Sequence, residues 1–274
     1  MIDVVSDKPR RSNGGLDRIG GDLYLGVRAW RLWTMLGWND IRLRYRRSVL
    51  GPFWLTLSMA IFIVTLGLIY SRIFHAELRV FLPYIAVGFV TWTFISTIIS
   101  ESCSAFLESE AVIRQVKLPF STFMMRVTWR NFIVLLHTII LIIPLWLIFG
   151  AVPWGTMLLA IPGLALVYIT LVWLGLVVAI LSTRYRDVPQ IVQTGLQVMV
   201  FATPIMWPVS SLGNNRLVAD LNPVFHLIEL VRGPLTGTLP AALSWEVGIA
   251  MAALGPVLAS VLFQRSARRI VYWL

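Results

Sequence analysis

Residues 48–71 form a run of 24 uncharged residues that directly follows an arginine cluster, and this junction constrains the fold more than any other feature. A hydrocarbon core about 30 Å thick needs roughly 20 apolar helical residues, so the run can cross a bilayer. The preceding basic residues favour the cytoplasmic side because positive flanks resist translocation. They are Arg42, Arg44, Arg46 and Arg47. The sequence therefore predicts an integral membrane protein whose N-terminus is cytoplasmic.

Further uncharged runs predict five more spans. The longest run is 53 residues without a formal charge, about twice the length of one span at roughly 1.5 Å per residue. Pro153-Trp154-Gly155 is a natural break within it, which predicts a hairpin of two spans with a short outside turn. The predicted spans are residues 48–71, 80–100, two within 131–183, 188 to about 204–208, and 247–264.

The predicted fold class is an all-α polytopic membrane protein with six transmembrane helices and cytoplasmic termini. Residues 1–22 read as a disordered cytoplasmic tail, and residues 23–47 as an amphipathic helix in the membrane interface. The alternative for this helix is packing against a soluble partner. Residues 48–264 form the transmembrane domain, with a polar cytoplasmic segment at residues 101–130 and short external helices between spans five and six. A cytoplasmic tail follows at residues 265–274.

The charge distribution agrees with this topology. Only 13% of residues are charged, mean hydropathy is +0.79, and the net charge is +10. The predicted cytoplasmic segments hold the whole positive excess, which follows the positive-inside rule and argues against a nucleic-acid partner. The single cysteine, Cys103, excludes an internal disulfide and a cysteine-based metal cluster. The polar N-terminal segment lacks the apolar core of a cleavable signal peptide.

The sequence offers little for catalysis. It contains no P-loop motif, no His-Glu-x-x-His motif and no carboxylate pair within a span, so we expect neither catalytic residues nor a metal site. The three histidines, His75, His137 and His226, lie in different segments. His137 falls within span three, where it is either functional or a neutral side chain hydrogen-bonded to a neighbouring helix. An intramembrane enzyme remains the alternative to transport.

Span five carries the best candidate for a transport path. Gln190, Gln193 and Gln197 share one helical face, and their amides can donate hydrogen bonds to sugar hydroxyls and accept them. The alternative is that the glutamines hydrogen-bond to other helices and stabilise the bundle. Aromatic residues in the spans, Trp54 among them, could stack on sugar rings or face lipid.

Two hydrophilic segments also have predicted roles. Residues 101–130 include a short amphipathic piece ended by Pro119, which is either a site of coupling to a partner or a solvated loop. In the external segment, Asn222 is a good helix N-cap, Pro223 suits the first turn, and Gly233 can end the helix.

Four motifs, in order, resemble type-2 ABC exporter permeases, most closely the branch that exports polysaccharides such as O-antigen, capsule and teichoic-acid glycans. The resemblance covers about residues 30–265, although Ser58-Met59 stands where this family often has Gln-Pro. The matching stretches are residues 47–54 (RSVLGPFW, for R-x-x-L-G-x-x-W), 112–119 (VIRQVKLP, for L-I-x-K-[VI]-x-[FL]-P), 184–187 (RYRD) and 222–232 (NPVFHLIELVR, for N-P-x-x-x-x-x-E-x-x-R).

The resemblance implies a role for each stretch. A coupling helix would contact an ATPase subunit, a cytoplasmic loop would precede span five, spans one and five would line the path, and an external helix would close the mouth. The implied coupling residues are Glu108, Glu110, Arg114 and Lys117; the loop residues are Arg184, Tyr185, Arg186 and Asp187; and the gate residues are Asn222, Pro223, Glu229 and Arg232. The path residues are Trp54 and the glutamine face of span five, Gln190, Gln193 and Gln197, which follows from the helical spacing.

The implied function is the permease subunit of an ATP-driven exporter that moves a lipid-linked polysaccharide across the bacterial inner membrane. The implied partners are a second copy of the chain, two ABC ATPase subunits that bind ATP and Mg²⁺, the glycan substrate and membrane lipids. Export of a drug or small lipid by the same fold is the alternative within transport, and a polytopic membrane enzyme of glycan assembly is the alternative from a different class.

Overall fold

The computed structural model describes residues 15–46, 53–150, 153–213, 215–267 and 269–274, and within these ranges the regular structure is entirely helical. The α-helices are α1 (Gly15–Arg28), α2 (Trp30–Arg44), α3 (Phe53–Ile73), α4 (Leu78–Ser102), α5 (Glu110–Gln115), α6 (Phe120–Ile139), α7 (Ile142–Phe149), α8 (Trp154–Met157), α9 (Ala160–Arg184), α10 (Val188–Ala202), α11 (Leu217–Asp220), α12 (Pro223–Thr236), α13 (Ala242–Ser266) and α14 (Ile270–Trp273). A single 3₁₀ turn, Val209–Leu212, precedes α11.

Among the described residues, five stretches are long and apolar enough to cross a membrane: α3, α4, α6 with α7, α8 with α9, and α13. These correspond to predicted spans one to four and six, and the break between spans three and four falls between Phe149 and Trp154 as predicted. Predicted span five is α10, which has 15 residues and is therefore about 22 Å long at roughly 1.5 Å per residue. The count of six spans thus stays a prediction.

Helix α4 is the centre of the bundle. Two thirds of its most apolar stretch is buried, against about one fifth for α3 and for α13. It packs against α3, α6, α7, α9, α10 and α12, and its side chains dominate the main apolar core. A second, smaller core lies at the arginine-rich end of the bundle, where residues near Phe106 and Phe123 meet Phe263 of α13. Most residues exposed on α3 and α13 are apolar, as a lipid-exposed surface requires.

The structure departs from the prediction at the N-terminus. Residues 1–14 of the predicted tail lie outside the described residues, but α1 already begins at Gly15, so residues 15–22 are helical rather than disordered. The predicted single helix at 23–47 is two helices that meet at Ala29. Residues 47–52, most of the motif before span one, also lie outside the described residues.

Helix α2 packs on α6 of the same chain. Trp33 meets Trp129 edge to face with ring centroids 5.8 Å apart, and Gly37 and Ile41 are buried against α6. Trp30 and Trp38 remain exposed on another side. Part of the apolar face therefore binds protein, and the rest is free to contact lipid.

The polar segment predicted at residues 101–130 is shorter in the structure. Glu101 belongs to the last turn of α4, and α6 begins at Phe120, eleven residues before the predicted start of span three. Helix α6 therefore carries Arg126 and Arg130 within its first three turns. The prediction failed here because it treated every charged residue as excluded from a spanning helix.

Candidate functional site

A polar crevice of about 450 Å³ lies between α4 and α10. Its walls combine two glutamine amides, three hydroxyl groups, one carboxylate and one indole, and the Gln193 amide donates a hydrogen bond of 2.5 Å to Ser100 Oγ. The structure thus brings two of the predicted path residues together with groups that the sequence did not single out. The crevice is lined by Trp92, Ser96, Thr97, Ser100, Glu101, Gln193, Leu196, Gln197 and Val200.

Helix α10, which forms one wall of the crevice, is the least packed of the long helices. It contains no buried residue, and Gln190, Gln193, Thr194 and Gln197 are all exposed. Gln190 lies outside the crevice lining, as does Trp54, which is 57% exposed on α3. Apart from the bond between Gln193 and Ser100, the exposed amides of this face would be costly to place in hydrocarbon, so the face requires either water or another protein surface.

The base of the crevice joins a cluster of five charged side chains from three helices. Arg126 of α6 binds both oxygens of Asp40, with Nε–Oδ2 at 2.7 Å and Nη2–Oδ1 at 2.5 Å. Arg130 bridges the two acids, with Nη1 2.9 Å from Asp40 Oδ2 and Nη2 2.7 Å from Glu101 Oε2. Arg44 donates to Glu101 Oε1 at 3.0 Å, and Asn131 donates to Glu101 Oε2 at 2.6 Å.

This ionic cluster explains how α6 tolerates arginines in its first three turns. The side chain of Arg130 is only 9% exposed and that of Asp40 13%, so each charge depends on its partners rather than on water. Sequence reasoning missed the cluster because it placed residues 101–130 in solvent. The detectable signal was the i, i+4 spacing of Arg126 and Arg130, which puts both on one helical face.

The predicted coupling segment contains the short helix α5. Arg114 and Glu110 pair with each other at 2.8 Å, both half exposed, and Glu108 accepts a hydrogen bond from Ser104 Oγ. Lys117 is exposed. Beside these polar groups, this segment presents apolar side chains to the surface, and a binding partner could cover them. They are Leu107, Val112 and Val116, which are 40% to 50% exposed.

Helix α1 is tied directly to the start of α6, next to α5. The Asp22 carboxylate accepts hydrogen bonds from the backbone N–H of Phe120 (2.9 Å) and Ser121 (3.0 Å), and Ser121 Oγ donates to Asp22 O. An acid from one helix therefore caps another helix across almost 100 residues of sequence. Burial raises the pKa of Asp22 above its ordinary value, against the opposing effect of these hydrogen bonds.

The predicted loop before α10 is arranged around Arg184. Its guanidinium lies 4.8 Å from the Tyr185 ring centroid and 5.4 Å from that of Trp273, so it attaches the C-terminal helix α14 to the end of α9. Arg186 and Asp187 are exposed. These two side chains and Tyr185, which is 48% exposed, are free to meet a partner.

The four predicted gate residues lie together at the opposite end of the bundle. Asn222 Oδ1 caps α12 by accepting from Val224 N and Phe225 N, as predicted, and Pro223 occupies the first turn. Gly233 does not end the helix: α12 continues through Pro234 to Thr236 and ends at Gly237, whose φ of 87° favours glycine. The prediction failed because a glycine alone does not fix a C-terminus.

Two of these residues clamp the far end of α10. Arg232 is 1% exposed, pairs with Glu229, and donates from Nη1 to Pro204 O at 2.6 Å while lying 4.0 Å from the Tyr84 ring centroid. Asn222 Nδ2 donates to Thr203 Oγ1 at 2.9 Å. The clamp therefore joins α12 and α4 to the chain that leaves α10.

Two of the three histidines, His137 and His226, have structural partners. His137 Nδ1 donates to Ile133 O of its own helix at 2.8 Å, rather than to a neighbouring helix. His226 lies between Asp220 O and Ser244 Oγ. No group of three metal-binding side chains occurs in the described ranges.

An apolar bundle with several helices long enough to cross a bilayer defines a multi-pass membrane protein. Comparison with known families agrees: the chain belongs to the ABC-2 type transporter family, whose domain matches residues 31–235. This confirms the resemblance to type-2 ABC permeases and the assignment to the bacterial inner membrane.

Three relatives carry the name O-antigen export system permease protein RfbA. One, from Myxococcus xanthus, is 25% identical over 197 residues, and two from Klebsiella pneumoniae are 22% and 24% identical over 200 and 196 residues. Each alignment covers 69% of this chain and 74% of the relative.

Proposed function

We propose that this chain is the membrane subunit of an ATP-driven exporter that carries a lipid-linked polysaccharide from the cytoplasm across the inner membrane. The observation that carries the proposal is the crevice between α4 and α10, where hydroxyl, amide, carboxylate and indole groups meet. These groups suit a hydroxyl-rich substrate, because they can exchange hydrogen bonds with sugar hydroxyls and offer an aromatic surface. The names of the three relatives support the same substrate class.

A second copy of the chain would complete the path. The exposed polar face of α10 needs water or protein beside it, and the crevice is open on one side in the single chain. Two chains that face each other across α3, α4 and α10 would enclose a conduit between them, with the lipid anchor of the substrate in the membrane beside it. In this arrangement α10 is the sixth span, and the arginine-rich end of the bundle lies in the cytoplasm.

Two ABC ATPase subunits would bind at that end and supply ATP and Mg²⁺ binding. The segment around α5 offers the contact surface, since it presents Leu107, Val112 and Val116 together with charged neighbours. The Asp22 cap and the ionic cluster connect this segment to α1, α2 and the base of the crevice. A push on α5 would therefore reach α6 and, through Arg130 and Glu101, the wall of the path.

Export of a drug or other small lipid by the same fold is the alternative within transport. A crevice lined only by apolar side chains would favour it, whereas six of the nine residues that line this crevice carry polar side chains. A glycan-assembly enzyme is the alternative from another class. It would need converging acids or histidines in the spans, but Glu101 is committed to arginines and His137 to a backbone carbonyl.

The partnership is tested by purifying the tagged chain from its native host in mild detergent and assaying the eluate for a co-purifying ABC ATPase. Exchanging the charges, Glu110→Arg with Arg114→Glu, retains the i, i+4 pair within α5 but inverts what it presents to a partner. We expect the ATPase to co-purify with the wild type and to be lost from this variant. The matched control is Arg216→Asp with Asp220→Arg, an i, i+4 pair at the opposite end of the bundle whose side chains are 63% and 30% exposed.

The path is tested separately by glycan export in cells. Replacing Gln193 and Gln197 with leucine removes amides from the crevice wall, and we expect export to fall at least tenfold while the ATPase still co-purifies. Gln264→Leu is the control, because this exposed glutamine of α13 lies away from the crevice. Export equal to that of the control would exclude this crevice as the path.

A further inference from the structure

A second and larger cavity, of about 870 Å³, lies at the end of the bundle opposite the ionic cluster. Its rim includes Arg79 and Val80 in the first turn of α4 and Leu243 in the first turn of α13. Because two spanning helices begin at this rim, the opening lies at the level where the bundle enters the lipid headgroups. The volume is within the roughly 300–1,000 Å³ of typical small-molecule sites.

The charged groups of the cavity leave an excess of one positive charge. Two arginines have acidic partners: Arg232 is paired with Glu229, and Arg216 lies 3.5 Å from Asp220. The remaining cation is Arg79, whose Nε donates to Phe149 O at 2.9 Å and which has no carboxylate within ion-pair distance in the described ranges. His226, also in the lining, is held between two other groups, Asp220 O and Ser244 Oγ.

The local backbone adds to this positive potential. The N-termini of α4 and α13 both contribute lining residues, and each long helix carries a partial positive charge at its N-terminus. Arg79 and Arg216 are exposed at the opening, whereas Arg232 is buried at the floor and stacked on Tyr84. A negative group would therefore meet the Arg79 guanidinium, which no carboxylate of the described ranges neutralises, at the opening rather than at the floor.

The cavity is also amphiphilic. Trp146 forms one wall and is fixed by a hydrogen bond of 3.1 Å from its indole N–H to Leu235 O. Three aliphatic side chains at the rim are exposed: Val80 (69%), Leu239 (71%) and Leu243 (41%). Aliphatic groups beside arginines and a tryptophan match the boundary between hydrocarbon and headgroups.

We propose that this cavity binds the phosphate-bearing headgroup of a membrane amphiphile, with Arg79 and Arg216 contacting the phosphate and the aliphatic rim contacting the chain. The chemistry fits two sources, an anionic phospholipid or a prenyl phosphate carrier. The assignment of this site to the outer leaflet rests on the orientation given in the proposed function. The binding of the headgroup does not depend on that orientation. A failure to capture an ATPase would therefore leave this proposal intact.

The test is a binding titration of the purified chain in a phosphate-free maltoside detergent. The ligands are dihexanoyl phosphatidylglycerol, dihexanoyl phosphatidylcholine, farnesyl phosphate and inorganic phosphate. We expect phosphatidylglycerol to bind at least tenfold more tightly than phosphatidylcholine. Arg79→Gln should weaken phosphatidylglycerol binding about tenfold, since a charge-assisted hydrogen bond contributes roughly 1.5–3 kcal/mol and tenfold is about 1.4 kcal/mol.

Two further variants distinguish binding in this cavity from a general effect of the protein's positive charge. Arg72→Gln removes an exposed arginine from the last turn of α3, outside the cavity lining, and should leave binding unchanged. Ser210→Trp fills the opening without changing its charge and should abolish binding. Tighter binding of farnesyl phosphate than of phosphatidylglycerol would support the proposal and identify the carrier as the source.

Three results would overturn the proposal. One is equal affinity for phosphatidylglycerol and phosphatidylcholine. Another is an equal effect of Arg79→Gln and Arg72→Gln. The third is inorganic phosphate binding as tightly as phosphatidylglycerol, because a free anion would then suffice and the aliphatic rim would have no role.

Discussion

Asp40→Asn is the substitution that tests the ionic cluster most directly, because it keeps the shape of the side chain and removes only its charge. Asp40 accepts three hydrogen bonds, two from Arg126 and one from Arg130. In the wild type, three arginines face two acids in the cluster, and the substitution leaves three arginines facing Glu101 alone. Arg126 and Arg130, one turn apart on α6, would then share no anion.

The structure sets the size of the effect. Arg130 is 9% exposed and Arg126 24%, so water compensates little for the lost partner. Removing one member of a buried ion pair typically costs about 3–5 kcal/mol. For a domain of this size, about 4 kcal/mol corresponds to a decrease in Tm of roughly 8–16 °C. Arg44→Gln should cost less than about 1 kcal/mol, because the Arg44 side chain is 46% exposed.

A double-mutant cycle separates charge imbalance from lost packing. Arg126→Gln alone should cost about 1–2 kcal/mol, since Asp40 keeps Arg130. In the Asp40→Asn background the same change removes an unpaired cation, so the double variant should be more stable than the sum of the single effects by about 1 kcal/mol or more. Apparent Tm values in detergent are compared at one scan rate, because an irreversible step makes Tm depend on it.

Two outcomes would refute this reasoning. If Asp40→Asn changed Tm no more than Arg44→Gln, the cluster would be solvated and not responsible for holding α2 on α6. If the double variant were additive, Arg126 and Asp40 would act independently despite their contact. Either result would also remove the proposed connection from α2 to Glu101 at the base of the crevice.

Three further predictions concern local geometry and use the same unfolding assay. Gly163→Ala would place a Cβ 2.2 Å from Leu230 O and should lower the free energy of unfolding by about 1–3 kcal/mol. In Gly195→Ala the new Cβ meets nothing within 4 Å, so this variant should raise the free energy of unfolding by up to about 1 kcal/mol. Asp22→Ala removes the cap of α6 and should cost about 1 kcal/mol, with faster amide hydrogen exchange at Ser121. Asn222→Ala should lower the free energy of unfolding by about 1–2 kcal/mol, because it removes both the cap of α12 and the hydrogen bond to Thr203. An unchanged Tm in the Asp22 variant or in the Asn222 variant would contradict the capping role of that residue.

Much of the architecture follows from the sequence because the bilayer imposes simple requirements on it. Long uncharged runs predicted α3, α4, α9 and α13, and Asn222 and Pro223 predicted the start of α12. Local chemistry decides these features: an apolar helix is the stable form in hydrocarbon, and an asparagine followed by proline suits the first helical turn. The ends of α6 and α12 were predicted less well, because they depend on contacts with other helices.

The features of the candidate site also fall into those that the sequence predicts and those that only the tertiary structure decides. The sequence by itself placed Gln193 and Gln197 on one helical face, since the period of the helix fixes which residues are neighbours on it. Only the tertiary structure set Ser100 and Glu101 opposite those amides, and only it gave Arg126 and Arg130 the carboxylate of Asp40 from a helix 86 to 90 residues away. The physical reason is that the cost of burying a charge depends on which partner lies within about 3 Å, and long-range packing alone determines that distance.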